Sequence, residues 1–204
     1  MPQSANILLA LAGVLFLSVA SPGPNFLIVT STAVASRYAG VMTGLGLAAA
    51  SGTWALIAIA GLSLIVTHVA WVNAAIRLAG ALYLIWLGIK MIRTARQPLP
   101  VADVTETSGW AAAKKGYLVS MTNPKAIAFY GSIFAVMVPA HASAWLDIAV
   151  IGLSIGISGA WYCAMALLAS HPTVRQTLYR RKAALETAAG LLLIALGGRM
   201  LAAR

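Results

Sequence analysis

The sequence predicts an all-α membrane protein: six transmembrane helices forming two inverted three-helix repeats, with helices 1 and 4 broken by proline motifs. Three observations lead there. Six apolar stretches near bilayer length fill the chain, two of them are interrupted by proline at matching places, and a short segment of the third recurs in the sixth. A soluble domain is excluded by composition. Of the 204 residues, 61% are hydrophobic and 9% charged, with a mean hydropathy of +0.89, whereas a soluble surface needs roughly 25% charged residues.

Runs near 20 residues place the spans at about 5–36, 40–66, 70–92, 108–139, 143–169 and 184–201. The first run is roughly 48 Å long as one straight helix against a hydrocarbon core of roughly 30 Å, so a break, tilt or partial re-entry must absorb the excess. No Lys or Arg precedes it, and it is expected to stay in the mature protein as a structural span. Residues 94–107, with Pro98, Pro100, Asp103 and Glu106, read as a linker on the cytoplasmic side. It separates a first repeat, 1–93, from a second, 108–204.

Fourteen Lys and Arg against four Asp and Glu give a net charge of +10. The basic residues lie mostly between apolar runs, where they meet lipid head groups; nucleic acid is not the expected partner. Arg37, then Lys90, Arg93, Arg96, Lys114 and Lys115, then Arg175, Arg180, Arg181 and Lys182 occupy the gaps after spans one, three and five. The positive-inside rule puts these gaps in the cytoplasm and both termini in the periplasm.

The repeat rests on Ile85-Trp86-Leu87-Gly88-Ile89-Lys90-Met91-Ile92 and Ile194-Ala195-Leu196-Gly197-Gly198-Arg199-Met200-Leu201, identical at four of eight positions. Pro24 and Pro124 also fall in the first span of each half. Three spans are an odd number, so the second copy enters from the opposite face, the usual construction of secondary transporters.

The two breaks carry the chemistry. In Ser21-Pro22-Gly23-Pro24-Asn25, two amide donors are missing, and carbonyls one turn earlier, near Ser18 and Ala20, lose their partners. Such carbonyls suit an ammonium, and the helix restarting at Asn25–Leu27 offers amides to a carboxylate. A zwitterionic amino acid has both groups. A kink that only shapes packing is the alternative, but a second break in the matching span favours a site. In Thr122-Asn123-Pro124-Lys125-Ala126, a lysine inside an apolar run costs about 2.5–3.5 kcal/mol near the bilayer centre. Lys125 is expected to anchor a carboxylate, to partner freed carbonyls, or to snorkel to the interface. Candidate substrate-binding residues are therefore Pro22, Gly23, Pro24, Asn25, Asn123, Pro124, Lys125 and Tyr130.

The remaining polar residues carry less. Arg77 reads as a snorkelling side chain, His68, His141 and His171 as interface residues, and Asp147 and Glu186 as partners for basic neighbours at span starts. Gly40, Gly44 and Gly46, and Gly152, Gly156 and Gly159, have small-residue spacing for close helix contact. Gly152-Leu153-Ser154-Ile155-Gly156 matches a serine-hydrolase elbow in letters only, since it lies inside an apolar helix without a base in reach. Cys163 stands alone, and no metal-ligand spacing or Walker loop occurs, so no cofactor, metal or enzyme chemistry is expected. A channel or cation exporter is the rival reading, disfavoured by the missing intraspan carboxylates and thiolates.

These residues resemble the LysE/RhtB family of amino-acid exporters. The resemblance is carried by Ser21–Asn25, by Ala79-Gly80-Ala81-Leu82-Tyr83-Leu84-Ile85-Trp86-Leu87-Gly88 and by Asn123-Pro124-Lys125-Ala126, whose order and spacing cover most of the chain. Ala33–Arg37, Ala70-Trp71 and Ala126–Phe134 look most like its threonine-exporting branch. The resemblance implies a bacterial inner-membrane transporter exporting threonine, homoserine or serine, with protons as the coupling ion and lipid around it. A homodimer is left open. The branch has an acid where Asn25 stands, and family members often carry one within span five, where this chain has Ser154 and Ser158. A reporter fused after Arg204 is expected to read out as periplasmic; a cytoplasmic signal overturns this orientation.

Overall fold

The computed structural model describes residues 2–66, 70–97, 108–138 and 142–202. His68, His141 and most of the expected linker, 98–107, lie outside the described residues, as does the side chain of Arg77. Helices α1 (Pro2–Ala20), α2 (Pro24–Ala35), α3 (Arg37–Val66), α4 (Ala70–Thr94), α5 (Gly109–Met121), α6 (Pro124–Met137), α7 (Ala144–Ala169) and α8 (Pro172–Ala202) follow in order. No strand occurs among the described residues. Segments that meet lipid must satisfy their backbone internally, which helices do. Polar side chains follow suit: Thr30 and Thr32 donate back to the carbonyls of Phe26 and Ile28, at 2.9 and 2.6 Å.

Both expected breaks are present. The last bond of α1 runs from the Ser21 amide to the Leu17 carbonyl; Pro22 has no N–H, and the chain restarts with Pro24 at the first position of α2. The two helices meet at a bend of 58°, which accommodates the overlong first run. Span four divides at Thr122-Asn123, where the Asn123 side chain caps α6 by accepting the Lys125 amide at 3.0 Å.

Among the described residues, two helices have a window long and apolar enough to cross a membrane, Arg37–Gly61 and Ala144–Ala169, and the bent pair Ser4–Ala20 and Pro24–Ala35 makes a third. The other expected spans all hold charged residues. The sixth differs from expectation in its start. Helix α8 begins at Pro172, not near residue 184, because nothing after Pro172 breaks a helix and Lys182 supports it by pairing with Glu186 one turn on, at 2.8 Å.

The most extensive contacts join α4 to α8, and α3 to α7 and α5. Between α4 and α8 the backbones nearly touch. A Cβ on Gly88 would meet the carbonyl of Gly190 and the side chain and amide of Ile194; one on Gly197 would meet the carbonyl of Ala81 and the side chain and amide of Ile85. The two contact sets are the same set exchanged between the helices, which run antiparallel. Gly46 and Gly116 likewise meet the backbones of Ala113 and Thr43 between α3 and α5, whereas Gly152 and Gly156, expected at helix contacts, face open space.

The basic gaps lie together. Arg37 donates to Ser170 Oγ at 3.0 Å, joining the gap after span one to that after span five. Lys182 Nζ donates to the carbonyls of Thr94 and Ala95, at 3.4 and 3.1 Å, capping the end of α4. A valine at Gly190 would press into the Gly88 carbonyl, and overpacking of this kind costs about 1–3 kcal/mol. Gly190→Val is expected to lower the melting temperature in detergent by several degrees, with Gly198→Val, in open space, as the unaffected control.

Candidate functional site

The two helix breaks face each other, and a lysine closes the gap between them. Pro22 leaves the Ser18 carbonyl without its helical donor, and Lys125 Nζ supplies one at 2.9 Å while also donating to the Ser21 carbonyl at 3.2 Å. Each such charge-assisted bond is worth about 1.5–3 kcal/mol, enough to offset the cost of about 2.5–3.5 kcal/mol of a lysine in an apolar layer. Of the roles expected for Lys125, partnering the freed carbonyls is the one seen here. It does not snorkel.

A second link joins the breaks. Asn123 spends its carbonyl oxygen capping α6, which turns its amide group outward to donate to Asn25 Oδ1 at 2.9 Å. Asn25 Nδ2 in turn donates to Ser120 Oγ at 3.2 Å, and the Ser120 carbonyl accepts from Trp54 Nε1 at 3.3 Å. The network fixes both amide orientations, since the capped N–H demands an oxygen from Asn123.

Around these bonds lies a cavity of about 420 Å³, counted to its open mouth. Gly23, Asn25, Asn123, Lys125 and Tyr130 line it, so five of the eight expected residues meet there. Pro22, Pro24 and Pro124 shape the breaks without lining the space. Ser51 and Ser120 line it too and were not expected, because a serine in an apolar run looks the same whether it faces lipid, a neighbour or a cavity; Ser18 and Ser21, expected at the first break, and Tyr162 line it as well. Spacing held one usable signal: Ser51 and Ser158 sit mid-span in corresponding second spans, and the structure bonds them at 2.9 Å. Ser154, one turn before Ser158, is buried and donates to its own helix at Val150.

Two polar atoms in this lining, Ser21 Oγ and Tyr130 Oη, are buried without a well-formed hydrogen bond, although the Ser51 and Ser154 hydroxyls lie close to Tyr130. Buried hydroxyls are seldom left so, and both belong to a space able to hold a polar ligand or water. The first amides of α2 also lack a side-chain cap, which leaves them for an anion. The cavity therefore combines carbonyls that hold an ammonium, free amides, and hydroxyls awaiting partners. No cluster that could hold a metal occurs among the described residues.

Asn25→Leu leaves Asn123 Nδ2 and Ser120 Oγ without this partner and is expected to cost about 1–3 kcal/mol. Asn25→Asp keeps an acceptor for Asn123, and the Ser120 hydroxyl can rotate to donate to it. Melting in detergent should therefore fall by several degrees for leucine and by much less for aspartate; equal losses would show that the bridge does not hold the breaks together.

The chain is similar to the threonine efflux protein of Escherichia coli K12, 32% identical over 203 residues that cover 97% of this chain and 98% of that protein. It is also 32% identical to the threonine efflux protein of Salmonella typhi, covering 90% and 92% of the two chains. A leucine efflux protein of Klebsiella pneumoniae is 28% identical over 88% of this chain and 85% of its own. No solved structure matches. The family model for LysE type translocators matches residues 15–204, and the chain, whose paired breaks carry the motifs of that resemblance, belongs to the LysE family.

Proposed function

We propose that this protein exports threonine or a similar small amino acid, homoserine or serine, from the cytoplasm across the bacterial inner membrane. The observation that carries the reading is the pair of unpartnered hydroxyls, Ser21 Oγ and Tyr130 Oη, in a cavity built where two broken helices meet. A substrate hydroxyl or carboxylate supplies the missing partners. The names of the relatives support the substrate class: threonine efflux at 32% identity, leucine efflux at 28%. A lining of serines, asparagines and tyrosines suits a hydroxylated side chain better than leucine, whose methyl groups would strand those polar atoms.

Transport proceeds by alternating access. Six spans form two inverted repeats, α1–α4 and α5–α8, rocking around the site between the breaks. The exchange-symmetric contacts of Gly88 and Gly197 support this, because they pair residues in the same register as the recurring segment at 85–92 and 194–201. The meeting of the basic gaps at Arg37–Ser170 and Lys182–Thr94 supports one cytoplasmic end, with both termini periplasmic. Protons are the proposed coupling ion, by antiport.

In this mechanism the α2 amides and Tyr130 hold the carboxylate end of the substrate, and the α1 carbonyls hold its ammonium. Pro22, Pro24 and Pro124 keep those backbone groups out of helical bonding, and Gly23 lets substrate approach the backbone. Asn25, Asn123 and Lys125 change partners as the breaks separate.

Tyr130→Phe removes a hydroxyl that makes no well-formed hydrogen bond in the protein, the neighbouring Ser51 and Ser154 hydroxyls donating to their own helices, so it is expected to shift melting little. Its KM for threonine in proteoliposome counterflow should rise about fivefold to tenfold, the worth of about one hydrogen bond. Wild-type protein that exchanges no labelled amino acid would remove the proposed function, and an unchanged KM in the variant would remove Tyr130 from the site.

A further inference from the structure

Lys125 stands between two cavities. Beside the one at the breaks lies a second, with room for about one water, that shares Ser18, Ser21 and Lys125 with the first and is otherwise walled by apolar residues. Its far wall is α8, through Ala189 and Leu193. Glu186 precedes these two by three and seven residues, so it lies on the same face of α8. It is only 6% exposed and holds Lys182 Nζ through a single oxygen, Oε2. Lys182 is supplied independently by the Thr94 and Ala95 carbonyls.

An entering ammonium cannot share the Ser18 and Ser21 carbonyls with Lys125. Two like charges in contact with the same carbonyls repel strongly where the dielectric is low. Lys125 must therefore leave, and in an apolar layer a displaced ammonium needs another counter-charge. The chain has four acids. Asp103 and Glu106 belong to the segment between the repeats, and Asp147 to the first turn of α7. Among the described residues, Glu186 is the acid on the α8 face that carries Ala189 and Leu193, which line the smaller cavity together with Lys125.

Resting on the amino-acid export reading, we infer that Glu186 is the internal counter-ion of the site. The substrate ammonium takes the α1 carbonyls, and Lys125 turns toward the α8 face that carries Glu186. Glu186 acts through Lys125 and is a positioning residue, touching no substrate. The device makes occupancy of the carbonyls by substrate and by Lys125 mutually exclusive, so it selects for solutes that carry their own ammonium.

The test is a cycle of Lys125→Met, Glu186→Gln, Lys182→Met and the double variant Lys125→Met/Glu186→Gln. Affinity is read from the rise in melting temperature with L-threonine, and KM from counterflow. Glu186→Gln is expected to weaken threonine binding about tenfold in the presence of Lys125 and by less than about twofold once Lys125 is methionine. Lys182→Met should leave affinity within about twofold, since Lys182 serves the end of α4. A 2-hydroxy acid lacking the amine should show no dependence on Glu186. Multiplicative losses in the double variant, or a Lys182→Met that reproduces the Glu186→Gln loss, overturn the inference. If Glu186→Gln does not fold, Glu186→Asp carries the same cycle, with a loss of about threefold expected. A wild type that binds and exchanges no amino acid removes the export reading, and this inference with it, a result distinct from either pattern in the variants.

Discussion

Everything at the centre of this molecule depends on two main-chain carbonyls that a helix cannot satisfy. In water such groups are hydrated; in a bilayer they need a partner from the protein. Pro22 creates the deficit at Ser18, and Lys125 meets it from across the fold. The same contact settles the lysine, which would otherwise be a costly charge in an apolar run. Neither group is tolerable alone. Their union sews the first helix break to the second, and Asn25 with Asn123 adds the second stitch.

Such a union is tight enough to persist and weak enough to exchange. A ligand ammonium makes the same bonds as Lys125 with the same carbonyls, so swapping one for the other costs little beyond moving the side chain. That is the condition for a transport site, where binding must be strong enough to select and weak enough to release. A site built on unpaired hydroxyls alone would bind water as readily as an amino acid. One built on a fixed ion pair would hold its cargo.

Much of this was legible in the sequence for a reason that is itself physical. Proline has no amide, so the positions of the breaks and the orphaned carbonyl at Ser18 follow from the letters alone, and a lysine within an apolar run announces that it needs a partner. The echo of 85–92 in 194–201 was readable too, and the structure puts both segments in one helix pair. What stayed hidden depends on rotation about helix axes. Ser51, Ser120 and Tyr162 reach the cavity, while Gly152 and Gly156 do not meet a helix, and small residues in an apolar run give no phase by which to tell these cases apart. The early start of α8 was missed because four basic residues read as a gap, although lysine and arginine are good helix formers. Glu186 was read as a partner for basic neighbours at a span start. It has that partner, but buried.

Asn25 gives the last step. The family resemblance implies an acid at this position, and an acid near the breaks would compete with the α1 carbonyls for the Lys125 ammonium. With asparagine the position stays neutral. Its side chain is spent bridging to Asn123 and Ser120, and Lys125 rests on the backbone instead. A negative charge lies instead on α8, at Glu186, on the helix face whose Ala189 and Leu193 share a small cavity with Lys125. Moving the counter-charge from the cavity wall to the far side of Lys125 leaves the substrate side with excess positive potential, which favours the carboxylate of an arriving amino acid. It also gives the lysine somewhere to go.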